Sequence, residues 1–227
     1  MASLLAAAVF FVGIHVLLAG TELRWKIVGK IGEEAFQSIF GVLSLVGIIW
    51  LCRAYVQAEY VELWGQVQSM RWLALLLMLP AFFLVGLAFT SPNPTAVRGG
   101  AWLKESEPAK GIERITRHPF LWGVVLWSVT HLIYNGDLAS TIFFTTFLVL
   151  ALRGPFSIDR KRKRVHGPDW ERFAALTSNV PFLAIAQGRN KFVFREIGWW
   201  PVIVITALYA GFLHLHQAFF GVSPLPL

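Results

Sequence analysis

The sequence predicts an all-α fold: a polytopic membrane helix bundle of about six transmembrane helices, with both termini on the non-cytoplasmic side. Three observations lead there. Hydrophobic residues make up 56% of the 227 residues and charged residues 15%, where a soluble domain carries about 45–50% and about 25%. The apolar residues gather into runs near the length needed to cross about 30 Å of hydrocarbon. Of the 20 Lys and Arg, all but Arg53 and Arg71 fall in segments that follow the first, third and fifth runs. Positive charge marks the cytoplasmic face, so this split fixes the orientation.

The first helix is expected at 3–19. Its sequence, MASLLAAAVFFVGIHVLLAG, superficially resembles a signal peptide. It has no basic leader, its apolar stretch is long and His15 interrupts it, so it reads as a retained helix. The second and third are expected at 36–54 and 71–90. The fourth, 118–134, opens on Pro119, whose missing N–H costs nothing in a first turn. Asn135-Gly136-Asp137 then makes a tight turn, because Asn and Gly tolerate left-handed backbone angles. Helices four and five should therefore form an antiparallel hairpin. The fifth, 138–152, is short, and the sixth, 197–219, carries Pro201 near its start.

The inner face then holds Arg24, Lys26 and Lys30, a second group including Arg98, Arg114 and Arg117, and a basic cytoplasmic loop at 153–196. The run Arg160–Arg164 (RKRKR) reads as a stop-transfer signal and lipid anchor rather than a nuclear signal. Within that loop, 169–176 (DWERFAAL) mixes apolar and charged positions at helical spacing and is expected on the membrane surface. Residues 1–227 read as a single membrane domain in a cell inner membrane, with membrane lipids as partners. The pI of about 9.9 does not imply nucleic acid, which needs a basic face on a soluble fold. Cys52 is the one cysteine, so neither a disulfide nor a Cys-based metal cluster forms within one chain.

The candidate functional groups are histidines. His15, His118, His131, His214 and His216 fall in or at the edge of the expected spans, while His166 lies outside them. Ionisable residues inside a membrane are costly and mark functional sites by default. Neutral imidazoles there can ligate haem iron, relay protons, or simply hydrogen-bond between helices. Depth pairs His131 with His214 or His216, and His15 with His118, because His118 and His131 are separated by roughly 20 Å at 1.5 Å per residue. Glu22, Arg24, Glu33 and Glu34 flank the first inner loop, and Arg114 and Arg117 lead into helix four. They fit a solvated headgroup region or an anionic site such as one for haem propionates. Trp122, Trp127, Trp199 and Trp200 fit an aromatic belt or the lining of an apolar pocket.

The segments GIERITRHPFLWGVVLWSVTHLIYNGDLAS (111–140) and TSNVPFLAIAQGR (177–189) resemble the NnrU family of bacterial membrane proteins. The same layout is similar to the 15-cis-zeta-carotene isomerases of plants and cyanobacteria. The first resemblance implies a role in nitric oxide and nitrite metabolism. The second implies a haem b protein that isomerises a cis double bond using two intramembrane histidines, which match His15 and His131. Ser128 stands where the isomerases carry a cysteine, which removes a possible thiolate ligand.

Three functions follow as expectations. One is an NnrU-type protein that binds haem b through histidines, with His15, His118, His131, His216 and Arg117 as cofactor-binding candidates and His15 and His131 as metal ligands. It would act in nitrogen-oxide metabolism, with a nitrogen-oxide reductase system as partner. The second is a cis–trans isomerase of zeta-carotene or a similar hydrophobic polyene. The third is a non-enzymatic membrane assembly factor.

Overall fold

The computed structural model describes residues 1–96 and 99–225; Arg98 of the expected basic set lies outside them. Helix α1, Ala2–Gly13, runs on into a π-helical turn, Ile14–Leu18, and the chain then bends by 75° into α2, Glu22–Ile31. Thr21 caps α2 by accepting the Leu23 N–H. After Gly32 comes α3, Glu33–Val56, and after an irregular segment α4, Arg71–Thr90. Helix α5, Pro119–Asn135, starts on proline and stops at Gly136, whose φ of 65° ends it. Asp137 caps α6, Leu138–His166, by accepting the Ser140 N–H at 2.8 Å. The short α7, Pro168–Leu176, and the terminal α8, Trp199–Phe220, complete the fold. There is no β-strand among the described residues.

Among the described residues four helices, α3, α4, α6 and α8, are long and apolar enough to cross a membrane; counting α1 with α2 as one bent span makes five. Helix α5 has 17 residues and so reaches about 26 Å, short of about 30 Å of hydrocarbon. Large apolar side chains cover the outer surface: Val9 is 65% exposed, Leu76 67% and Trp72 70%, as lipid-facing positions require.

The loops sort into two groups. At one end, the Gly136 carbonyl accepts the N–H groups of Leu63, Trp64 and Gly65 at 2.9, 3.0 and 3.2 Å, and Leu138 N–H donates to Val61. A Cβ on Gly136 would stand 2.1 Å from the Gly65 carbonyl oxygen, so glycine is required there. At the other end, Arg164 pairs with Glu22, Arg114 with Glu196, and Arg172 donates to the carbonyls of Leu103 and Glu105. Segments that the charge split assigns to one face therefore do meet one another.

Two expectations change. The fifth helix is the longest, 29 residues rather than about 15, and RKRKR forms its last turns. Charge ends a hydrophobic run without ending a helix, and Lys163, Arg164 and His166 near its C-terminus favour the helix dipole. Segment 153–196 is thus largely helical at its start rather than a loop. Helix α7 also spends its apolar face within the protein: Trp170 and Phe173 are buried against Leu103 and Ala109. That face is not free for the membrane surface.

The main core joins α1, α3, α5 and α6, with Leu4, Phe11, Leu51, Phe143 and Phe144 buried and Trp127 packed against them. Small residues set the helix spacing. A Cβ on Gly123 of α5 would meet Val85 at 2.5 Å, so α4 and α5 approach closely.

Candidate functional site

The bend after α1 opens the site. Ala19 N–H reaches back five residues to the Ile14 carbonyl at 3.3 Å, giving a π-turn that carries His15. Such turns are frequent at functional positions. A Cβ on Gly20 would stand 2.5 Å from the Val16 carbonyl oxygen, so the chain can leave the turn only through glycine.

His15 Nδ1 lies 2.7 Å from the Phe11 carbonyl oxygen. A carbonyl only accepts, so Nδ1 carries the proton and the neutral ring keeps a lone pair on Nε2. His131 repeats the arrangement, with Nδ1 donating to the Trp127 carbonyl at 2.8 Å. In both cases the ring is fixed by the carbonyl one turn back, the kind of outer hydrogen bond that orients a metal-ligating histidine.

Between α1, α4, α5 and α6 lies a cavity of about 990 Å³. Phe11, His15, Phe82, Phe120, Trp127 and Phe147 contribute its walls, and Arg153, Arg160 and Lys161 its basic end. Its size and apolar lining suit a sizeable apolar molecule. Pro155 cannot donate to the carbonyl of Ala151, a cavity residue, which loosens α6 beside the space.

His15 and His131 do not meet, whereas His131 and His216, paired by depth in the sequence, lie within electrostatic reach of one another. A row of rings joins His15 to His131: His15–Phe11 4.5 Å, Phe11–Phe147 5.9 Å, Phe147–Trp127 5.4 Å and Trp127–His131 5.3 Å between centroids. His131 also stacks on Phe144 at 4.6 Å, and it does not line the cavity. His216 donates to the Val222 carbonyl and packs against Phe212 and Phe220, and His214 is exposed. His118 pairs with neither; its Nε2 donates to Asp159 Oδ1 at 2.7 Å. His166 lies by Arg162 at 3.4 Å. No cluster of three or more His, Cys, Asp or Glu positioned to hold a metal ion occurs among the described residues.

A second polar centre lies at the base of α5. Arg117 grips Asp159 through Nε at 3.1 Å and Nη2 at 2.5 Å, beside the His118 bond to the same carboxylate. Thr116 and Trp122 both donate to the Asn179 carbonyl, at 2.6 and 2.7 Å. Phe182, the one non-glycine residue with positive φ (64°) among those described, donates its N–H to Ile115. The segments RITRHP and TSNVPF are thus two halves of one junction. Glu113 beside it is fully buried with neither carboxyl oxygen hydrogen-bonded, and burial pushes its carboxyl well above the usual range against the pull of Arg117.

Arg114 donates from Nε and Nη2 to Glu196, both at 2.7 Å, and this contact holds the Glu196 carboxyl below its usual range. Arg114 and Arg117 are thus each engaged by an acid of this junction, Glu196 and Asp159. Sequence reasoning missed Asp159, Asn179 and Glu196, the partners that hold the junction. It also missed Arg153, Arg160 and Lys161 as parts of a cavity mouth, taking the basic run only as an anchor.

Residues 3–224 match the family model described as NnrU protein. The chain belongs to the NnrU family. Two curated relatives of this NnrU chain are chloroplastic 15-cis-zeta-carotene isomerases. The protein of Arabidopsis thaliana is 29% identical over 205 residues, covering 85% of this chain and 54% of its own. That of Zea mays is 27% identical over 219 residues, covering 94% and 59%. The NnrU chain thus spans little more than half the length of these relatives. No solved structure matches it significantly. Ser128, at the position compared with a cysteine, is fully buried in α5 with its hydroxyl unpartnered.

Proposed function

We propose that this NnrU protein is a membrane cis–trans isomerase of a long apolar polyene of the carotene class, acting in the His15 cavity. The observation that carries the reading is the cavity itself, about 990 Å³ of largely aromatic and aliphatic lining with one imidazole in its wall. The two isomerase relatives, similar over most of this chain, support the same substrate class. The wall residues hold an extended hydrocarbon by burial and exclude water, and Phe120, Trp127 and Phe147 offer ring faces to a conjugated chain.

Isomerisation requires temporary loss of double-bond order, and haem b is the proposed source. His15 fits it: Nδ1 is committed to Phe11, Nε2 has no hydrogen-bond partner among the described residues, and His15 lines a space large enough for an apolar cofactor. His131 has the same tautomer but lies outside the lining, which makes His15 the first candidate ligand. When bound there, the iron would supply Lewis-acid or one-electron chemistry to the double bond. The chain's own contribution is to fix the imidazole and to hold the polyene beside it.

In this reading the bundle spans an inner membrane six times, through α1 with its bend, α3, α4, α5, α6 and α8, with both termini on the non-cytoplasmic side. The basic residues of one face support it. The nitrogen-oxide role and a reductase partner rest on the family resemblance, and no geometry of the site favours them. Expression in cells that accumulate a 15-cis carotene tests the function. Chromatography should show conversion of the central cis bond, and an unchanged isomer pattern would refute it.

A further inference from the structure

The basic end of the cavity has no use in isomerising a pure hydrocarbon. Arg153, Arg160 and Lys161 line it at positions i, i+7 and i+8 of α6, one face of the helix. Among the described residues none of the three has a carboxylate or hydrogen-bond partner. The neighbouring acids are already committed: Asp159 to Arg117 and His118, Glu33 to Arg24, and Glu22 to Arg164. Other arginines of the same segment are likewise engaged, Arg162 with the carbonyls of Thr95 and Ala96 and Arg172 with those of Leu103 and Glu105. Three cations without a hydrogen-bonded acid therefore border the place where an apolar cavity meets the polar face, with only Lys161 under the more distant pull of Glu33. That combination complements an amphiphile, with an apolar body inside and an acid head at the rim.

We propose that Arg153, Arg160 and Lys161 form an acid-binding subsite that holds the carboxylate or phosphate of an amphiphile whose apolar part fills the His15 cavity. The inference rests on reading that cavity as a binding site for a long apolar molecule, and it adds what the occupant carries at one end. A membrane lipid acid and a haem carboxylate share this chemistry.

The test uses the full chain in neutral detergent with two ligand pairs. Parinaric acid, a fluorescent conjugated fatty acid, is compared with its methyl ester, and haemin with its dimethyl ester by absorption. The acid form of at least one pair should bind about tenfold tighter or more, the scale of one charge-assisted contact. The R153Q/R160Q/K161Q variant should lose that advantage while still binding the ester, which also shows that it is folded. Preference confined to parinaric acid assigns the subsite to a lipid acid, and preference confined to haemin assigns it to a haem carboxylate. Equal binding of acid and ester in both pairs overturns the subsite while leaving the cavity reading intact. Acid preference that persists in a V124F variant whose added bulk has abolished binding of the esters overturns it too, because the cations would then attract headgroups from outside. Failure of all four ligands to bind overturns the cavity reading and the subsite with it.

Discussion

His118 donates Nε2–H to Asp159 Oδ1 at 2.7 Å, which ties the start of α5 to the polar extension of α6. Arg117 grips the same carboxylate, so one acid organises the base of the hairpin that walls the cavity. The His118 side chain is 1% exposed and that of Asp159 25%. Removing the acid would strand a buried imidazole and a guanidinium together.

Asp159→Asn should therefore destabilise the protein by about 2–3 kcal/mol, somewhat below the roughly 3–5 of a fully buried pair because water reaches Asp159. Lys163→Ala breaks a pair with Glu171 in which both side chains are more than half exposed, and should change stability by less than about 0.5 kcal/mol. Thermal unfolding in detergent measures both. Equal effects would mean that the junction does not hold the hairpin.

Glu113 makes stability depend on pH in an identifiable direction. Its native carboxyl is raised above the ordinary value of 4.5 by burial, so the folded state resists ionisation that the unfolded state undergoes. Its stabilising balance is complete below pH 4.5 and declines as pH rises, by about 1.4 kcal/mol per unit until the native value is reached. Glu113→Gln should remove that decline, giving a variant relatively more stable at pH 8 than at pH 5. Unfolding midpoints at several pH values, with the same slope in both proteins, would count against the buried neutral acid.

The proposed topology places 57–70 outside and the end of α6 inside. In a Cys52→Ser background, Glu59→Cys should react with a membrane-impermeant thiol reagent in intact cells, and Val165→Cys only after the membrane is opened. Both residues have accessible side chains. Reversed labelling would invert the bundle.

Much of this structure is local in origin and so is legible in the sequence. Helices α3, α4 and α8 lie where their apolar runs lie, and Asn135-Gly136-Asp137 makes the expected turn because left-handed φ at Gly136 is a property of that residue. His15 is conspicuous as a polar group in an apolar run. The end of α6 was hidden, because hydropathy reports where a membrane stops and not where backbone hydrogen bonding stops. Asp159 was hidden for another reason: it sits in a basic run, and its partners are about 41 residues away in sequence. The clamp of Leu63, Trp64 and Gly65 on Gly136 uses backbone groups alone and leaves no side-chain pattern. Periodicity gave α7 an apolar face without saying that Leu103 and Ala109 cover it.

The measurement that bears most directly on the central claim compares the intact protein with His15→Ala in cells accumulating a 15-cis polyene, at matched membrane levels. If the reaction takes place in the His15 cavity, the intact chain converts the central cis bond and His15→Ala lowers the rate at least about tenfold, or about 1.4 kcal/mol in barrier. Conversion by His15→Ala at the rate of the intact chain would contradict it.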